Sequence, residues 1–390
     1  MRAASILIKP ASANCNINCE YCFYKCLSSN REQYSLGFMK EETLEQLIKQ
    51  AFAYVEAHVT FAFQGGEPTL AGLSFFRRVL ELQQKYNTKG IHVENTIQTN
   101  GLLMDREWAE FLAKHQILVG LSLDGPRELH DRYRKDVQGN PTYDRVMETV
   151  ALFEEYGVAY NILSVVTAHT CAHAKELYQF YREQYFPFVQ LIPCMDEKQR
   201  QGKAGAQANA YAVEPEQYGH FLCEFFDLWY GDFMRSLKPS GEQKYGVMDV
   251  RMFSNLAQMA AGYPAEECGM SGCCTCYFVV EGDGSVYPCD FYCMDEWKLG
   301  TIADSFEDLL VSEKAKQFVA VSQPKHKKCA KCAHFSLCRG GCRRWREAQA
   351  GEEPALNQLC VAYKIFFAHT KGRILELGKL IRRRYGAYQR

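Results

Sequence analysis

Two rhythms of apolar and polar positions alternate along the first 195 residues. Short apolar or alternating runs at residues 5–9, 59–63, 92–98, 117–123, 158–166 and 188–192 predict strands. Between them, apolar positions recur at helical spacing, as in Leu44, Leu47, Ile48, Ala51, Phe52 and Val55 of a helix predicted over 40–57. The same spacing predicts helices over 73–85, 105–115, 143–156 and 172–182. Such alternation argues for right-handed βαβ units and a parallel sheet. Six strands are too few to close an eight-fold barrel, so the expected fold class is α/β with an open or partial barrel.

After residue 192 the rhythm breaks. Residues 199–212, rich in Gly, Ala and Gln, read as a loop or lid. Helices are predicted over 215–234 and 247–261, the first lined by Phe221, Phe225, Phe226 and Trp229 as core packing. From Cys268 onward Gly and Cys become frequent and the strands short. Val279-Val280 and Ser285-Val286-Tyr287 flank Glu281-Gly282-Asp283-Gly284, a hairpin signal. The chain is helical from Ala355 and turns basic at Arg382, Arg383 and Arg384, read as a solvated face. The expected organisation is a barrel domain over 1–235, a cysteine-rich domain over 236–365, and a C-terminal helix with a basic tail over 366–390.

Composition narrows the class. The 390 residues are 47% hydrophobic and 23% charged, as in ordinary globular chains. A formal net charge of -1 gives no electrostatic case for nucleic acid or membrane. No apolar run approaches the ~20 residues that a membrane helix needs. Residues 1–10 hold too short an apolar core for a signal peptide, so the expected location is cytoplasmic. The anomaly is the eighteen cysteines. Clustered thiols in a reducing compartment point to metal or catalysis more than to disulfides. They fall at 15, 19, 22 and 26, then singly at 171, 194 and 223, with eleven between 268 and 360. One site at the N-terminus and a separate metal-rich module follow from that distribution.

Cys15, Cys19 and Cys22 form a C-x3-C-x2-C run directly after the first strand. Three thiolates fall one short of a closed zinc site, but they would leave one iron of a four-iron cluster open. Ligands in open α/β sheets bind beyond the carboxyl ends of the strands. The cysteine loop, Gln64-Gly65-Gly66-Glu67-Pro68, Gln98-Thr99-Asn100-Gly101, and Ser122 with Asp124 and Gly125 all fall at such ends. With Gly65-Gly66-Glu67-Pro68 one βα unit after the cysteine run, the chain resembles the radical S-adenosylmethionine (radical SAM) enzymes. The resemblance implies a partial (β/α)6 barrel, with SAM contacted by Tyr21, Gly66, Ser122, Arg134 and Met195. Arg134 suits the SAM carboxylate because a guanidinium binds it bidentately.

The C-terminal cysteines run Cys268, Cys274, Cys289, then Cys329, Cys332, Cys338, Cys342 and Cys360. Eight are enough for two fully ligated clusters. Their spacing, with Gly269-Met270, the segment from Asp283 to Tyr292, and Cys338-Arg339-Gly340-Gly341-Cys342-Arg343-Arg344, resembles the SPASM extension. The likeness is closest to the anaerobic sulfatase-maturating enzymes. It implies that Cys268, Cys274, Cys289 and Cys342 hold one auxiliary [4Fe-4S] cluster, and Cys329, Cys332, Cys338 and Cys360 another. A zinc ribbon at Cys329 and Cys332 is the plain alternative. Cys273 and Cys276, flanking Cys274, leave that ligand open to a shift in position. Cys26, Cys171, Cys194, Cys223 and Cys293 are expected as buried small hydrophobes.

The resemblance further implies that Asp290 is the general base and that Gln64 positions substrate. The implied reaction oxidises a Cys or Ser of a sulfatase C/S-x-P-x-R segment to Cα-formylglycine, using three [4Fe-4S] clusters and SAM. An electron donor such as ferredoxin or flavodoxin is implied with it. Two rivals share the scaffold or the metal. One is another SPASM maturase, making thioether or carbon–carbon crosslinks in a precursor peptide. Such enzymes often carry an N-terminal docking domain, and a cysteine loop beginning at residue 15 leaves no room for one. The other is a non-catalytic electron-transfer protein, which would not cleave SAM.

Overall fold

A computed structural model describes residues 1–195, 210–237, 246–347 and 354–386. The chain divides into two compact units. The first holds Met1–Leu123, His130–Tyr160 and Thr275–Val321; the second holds Asp124–Leu129, Asn161–Cys274 and Ser322–Arg390.

In the first unit, β1 (Ala3–Ile8), β2 (His58–Phe63), β3 (His92–Thr99) and β4 (Leu118–Ser122) pair in parallel. Registers run from Ala3 opposite His58 to Ile8 opposite Phe63, so these strands end level and their loops gather at one edge. The intervening helices bury the stripes that their periodicity predicts. Glu41–Tyr54 buries Leu44, Leu47, Ile48, Ala51 and Phe52. Arg106–Lys114 starts at Asp105, whose side chain accepts from the Trp108 N–H. Tyr143–Tyr156 ends at Gly157, left-handed at φ 68°, as a helix C-cap requires.

The other side of β1 is taken by a strand from far along the sequence. β8 (Phe278–Val280) runs parallel to β1, with Ile6 opposite Phe278, and β9 (Ser285–Tyr287) returns antiparallel to it. The predicted hairpin is present, closed by Gly284 N–H donating to Glu281 O at 2.9 Å. β10 (Gly300–Thr301) follows on β9, giving the order β10-β9-β8-β1-β2-β3-β4.

In the second unit β5 (Tyr160–Val166), β6 (Phe188–Pro193) and β7 (Asp249–Val250) pair in parallel. Six β/α strands, β1 to β6, therefore stand where the sequence predicts them. One expectation is corrected: the helix predicted from 247 begins at Arg251. Asp249 and Val250 are drawn into a strand on β6, with Asp249 N–H donating to Pro187 O at 2.7 Å. Helices Pro215–Ser236, Arg251–Ala261 and Cys360–Gly386 pack on one another through Phe226, Phe253 and Phe366, with ring centroids 5.0 Å apart for Phe226–Phe253 and 5.8 Å for Phe253–Phe366. The aromatic stripe is core, as expected. The expected loop or lid over 199–212 falls mostly outside the described residues.

Candidate active site

The cysteine loop leaves β1 and is fastened from three sides within the first unit. Asn18 N–H donates to Lys135 O at 2.7 Å, Ile17 bridges Asp136, and the Asn100 amide donates to Asn16 Oδ1 at 2.8 Å. Cys19 is buried, Cys15 and Cys22 are half-buried, and none of the three is in a disulfide. Burial pushes the Cys15 thiol up to about 12, so without a ligand that thiol stays protonated. A bound cation or cluster is what draws such thiols into thiolates.

The donor set speaks to the nature of that group. Three thiols leave a closed tetrahedral zinc site one ligand short, whereas they ligate a four-iron cluster with one iron left open.

The Gly65-Gly66-Glu67-Pro68 loop after β2 packs directly on this segment. Gly66 has φ 52°, and a Cβ there would sit 2.2 Å from Asn14 O and 2.7 Å from Ser12 O. Only glycine allows that approach. Glu67 is buried and ties two loops together. Its carboxylate accepts from Thr69 N and Oγ1 (3.1 and 2.7 Å), from Thr99 Oγ1 (2.8 Å) and from Asn100 N (2.8 Å). Burial raises its pKa against these four donors. Glu67 thus locks the loops after β2 and β3, a role that reading Gly-Gly-Glu-Pro as a motif does not reveal.

Of the expected SAM contacts, Tyr21, Gly66, Ser122 and Arg134 lie in the first unit. Arg134 is buried, donates to Cys19 Sγ at 3.6 Å, and stands 6.0 Å from the Tyr21 ring. Ser122 ends β4 and accepts from the Gln98 amide at 3.0 Å. Met195 lies in the second unit, just past β6.

Asp290 opens the short 3-10 turn Asp290–Tyr292 after β9 and is buried. Its Oδ2 accepts from Tyr24 OH at 2.6 Å, and Tyr24 OH in turn accepts from the Gln64 amide at 2.8 Å. Its Oδ1 faces the Lys9 ammonium at 2.9 Å. Lys9 is buried at the end of β1, also 3.6 Å from Glu281 and 3.3 Å from Cys293 Sγ. Burial alone would lower its pKa, but Asp290, Cys293 and Glu281 raise it above the ordinary range. Glu281 is held low by Lys9 and Arg31 despite burial, with Arg31 at 2.7 Å. Tyr24 is pushed well above 10 by burial and by Asp290, so its proton stays on the hydroxyl. Gly65 belongs to the same construction: a Cβ there would meet Lys9 Cγ at 2.6 Å.

The sequence reading missed Lys9, Arg31 and Glu281. A lysine in an otherwise apolar buried strand was the available signal. Cys293, expected as a small hydrophobe, is fully buried but lies against Lys9, and burial pushes its thiol up to about 12. Cys194 and Cys223 are buried as expected, whereas Cys26 and Cys171 are only half-buried.

The second unit gathers two groups of C-terminal cysteines. Burial, with Cys268 and Cys274 as near charges, pushes the Cys342 thiol up to about 12. Cys276 belongs to the first unit, its Sγ donating to Ala315 O at 3.6 Å. Cys329, Cys332, Cys338 and Cys360 line one cavity with Leu356, Tyr363 and Phe367. Cys289 belongs to the first unit, where Tyr277 OH donates to its sulfur at 3.7 Å.

Comparison with known proteins agrees with this chemistry. The radical SAM superfamily matches residues 10–180, and an iron–sulfur cluster-binding SPASM domain matches residues 272–333. A cysteine-type anaerobic sulfatase-maturating enzyme of Clostridium perfringens (strain 13 / Type A) is 43% identical over 98% of this chain and 100% of its own. The chain belongs to the anaerobic sulfatase-maturating enzymes. It is accordingly a radical SAM enzyme that uses SAM and iron–sulfur clusters. The cysteine-type enzyme of Clostridium novyi (strain NT) is 40% identical over 98% of this chain and 99% of its own. The serine-type enzyme of Bacteroides thetaiotaomicron is 33% identical over 93% and 88%. The solved structure of native anSMEcpe with bound AdoMet and Cp18Cys peptide has a TM-score of 0.89 at 42% identity, covering 97% of this chain and 100% of that one.

Proposed function

We propose that the protein oxidises a cysteine in a C-x-P-x-R segment of a sulfatase to Cα-formylglycine, with Asp290 as the base. The observation that carries the base assignment is the Gln64–Tyr24–Asp290–Lys9 chain, a buried carboxylate with one oxygen on a fixed ammonium and the other on a phenol. Cys15, Cys19 and Cys22 would hold the cluster that binds SAM, beside Tyr21, Gly66, Ser122, Arg134 and Met195. Cys268, Cys274, Cys289 and Cys342 would hold one auxiliary cluster, and Cys329, Cys332, Cys338 and Cys360 the other. Bound there, these groups supply a hydrogen-abstracting radical and a sink for the electron left behind.

The chain's own residues do the rest. Lys9 fixes Asp290 by an ion pair that water cannot screen. The Tyr24 hydroxyl, kept protonated, aims the other Asp290 oxygen and shares the proton that Asp290 takes from the substrate thiol. Gln64 holds Tyr24 in that orientation. Cysteine is favoured over serine as the substrate residue by the higher identity to the cysteine-type relatives. Peptide-bound relatives support a peptide as the form recognised. A ferredoxin or flavodoxin is the proposed electron donor. Eighteen cysteines with no disulfide among them suit a reducing cytoplasm, and among the described residues no helix is long and apolar enough to cross a membrane.

The test is a peptide of about twenty residues carrying C-x-P-x-R, incubated anaerobically with enzyme, SAM and reductant; an extended segment needs no folded partner. The thiol-to-aldehyde mass loss is expected, with slower conversion of the S-x-P-x-R peptide. Inert peptides, together with crosslinking of a small precursor peptide, would establish the crosslinking reaction instead.

A further inference from the structure

Charge is distributed very unevenly around the cavity of Cys329, Cys332, Cys338 and Cys360. From Ser322 to Arg346 the chain carries Lys325, Lys327, Lys328, Lys331, Arg339, Arg343, Arg344 and Arg346 and no Asp or Glu, in a protein of net charge -1. Lys327, Lys328, Lys331 and Lys364 are exposed, and no ion pair among the described residues involves them. Together with Ala333 and Ala368 they line an open concavity. Lys328, Cys332, His334 and Lys364 line both this concavity and the four-cysteine cavity, so the two share a wall.

Four unpaired ammonium groups on one concave face are not a stability device. They repel one another, and exposed charges gain little without partners. Such a face raises the local concentration of an acidic macromolecule and steers its approach. What it steers is indicated by the shared wall, because electron transfer falls off steeply with distance and a carrier seated here would lie against the four cysteines.

We propose that Lys327, Lys328, Lys331 and Lys364 form the docking surface for an acidic one-electron carrier protein. This rests on the reading that Cys329, Cys332, Cys338 and Cys360 hold a cluster. Oxidising the substrate thiol to an aldehyde removes two electrons. One leaves with the abstracted hydrogen atom, and one remains on the protein. In the docked complex that electron passes to the oxidised carrier: the cluster is oxidised by one electron, the carrier is reduced by one, and no atom moves.

The experiment uses the reconstituted holoenzyme and, as probe, an oxidised acidic flavodoxin. The variant is Lys327→Glu/Lys331→Glu/Lys364→Glu, which leaves every cysteine in place. Iron content and the affinity for flavodoxin are measured at ionic strengths of about 0.05 and 0.3 M, either side of the ≈ 10 Å screening length at 0.1 M. Wild-type binding is expected to weaken steeply with salt, and the variant to bind at least about tenfold more weakly at low salt with unchanged iron. Equal affinity with intact iron overturns the proposal. So does a variant that binds normally and only shifts the cluster potential, because the lysines would then merely balance cluster charge. Displacement of flavodoxin by a single-stranded oligonucleotide that binds more tightly would assign the face to nucleic acid. If charge reversal costs iron, the Lys→Gln triple variant replaces it, and iron loss there too makes the lysines structural. Wild-type enzyme about four irons short would overturn the cluster reading, whereas salt-dependent flavodoxin binding would still stand on its own.

Discussion

Burying Lys9 puts an ammonium where water cannot solvate it, and three partners answer it: Asp290, Glu281 and the Cys293 sulfur. Removing one member of such a group is costly, because the partners stay buried and uncompensated. The arrangement therefore fixes Asp290 more firmly than a surface pair would. Asp290→Asn separates positioning from proton transfer. Its Oδ1 continues to face Lys9, while Nδ2 replaces an acceptor with a donor toward Tyr24, whose hydroxyl must turn away. SAM cleavage depends on the cysteine loop, so 5′-deoxyadenosine should form as in wild type. With Cβ-deuterated peptide, deuterium should still reach it. Formylglycine should fall by ~10²–10⁴-fold, the usual loss with a general base. Mass spectrometry of both products reads the outcome, and near-normal aldehyde yield would remove Asp290 from the mechanism.

At the scale of elements, the strands β1 to β6 were legible because each is a compact apolar run between polar turns. β7 was not, since two residues carry no periodicity and Asp249–Val250 is extended only because β6 is there to pair with it. The docking of β8 beside β1 was equally hidden: the hairpin is local, but its partner Ile6 is distant in sequence. The same limit hid Lys9 and Glu281. Their chemistry exists only once β1 and β8 are neighbours, and a strand-end lysine or a turn glutamate looks ordinary alone. Cys15, Cys19, Cys22 and Gly66 could be read early because their spacing is itself local. That locality gives a sharp test. Gly66→Ala and Gly90→Ala both place a Cβ at positive φ, at 52° and 64°. At Gly90 the Cβ meets nothing within 4 Å, whereas at Gly66 it meets the Asn14 carbonyl at 2.2 Å. Each should lose about 1–2 kcal/mol from the backbone conformation. Gly66→Ala should in addition push the Asn14 segment aside and weaken SAM binding at least about tenfold, roughly 1.4 kcal/mol. Equal SAM affinities for the two variants would show that the close approach is not what the glycine serves.

For the whole molecule, the metal content decides between a cluster enzyme and one that merely carries zinc beside a catalytic loop. Eleven cysteines are assigned, three to the SAM-binding cluster and eight to the auxiliary pair. Anaerobically reconstituted protein should therefore hold about twelve irons per chain. The two ends of the chain can be emptied separately. Replacing Cys15, Cys19 and Cys22 by Ala should leave about eight irons and abolish SAM cleavage, because no open coordination position remains for SAM. Replacing Cys329, Cys332, Cys338 and Cys360 by Ala should also leave about eight irons, yet 5′-deoxyadenosine should still form while aldehyde yield falls, since the electron left after hydrogen abstraction loses its outlet. The first variant and the second thus lose the same amount of iron and different chemistry. Zinc in place of the missing iron in freshly purified protein would overturn the auxiliary clusters. Loss of SAM cleavage in the four-cysteine variant would mean that these thiols support the catalytic cluster rather than drain it.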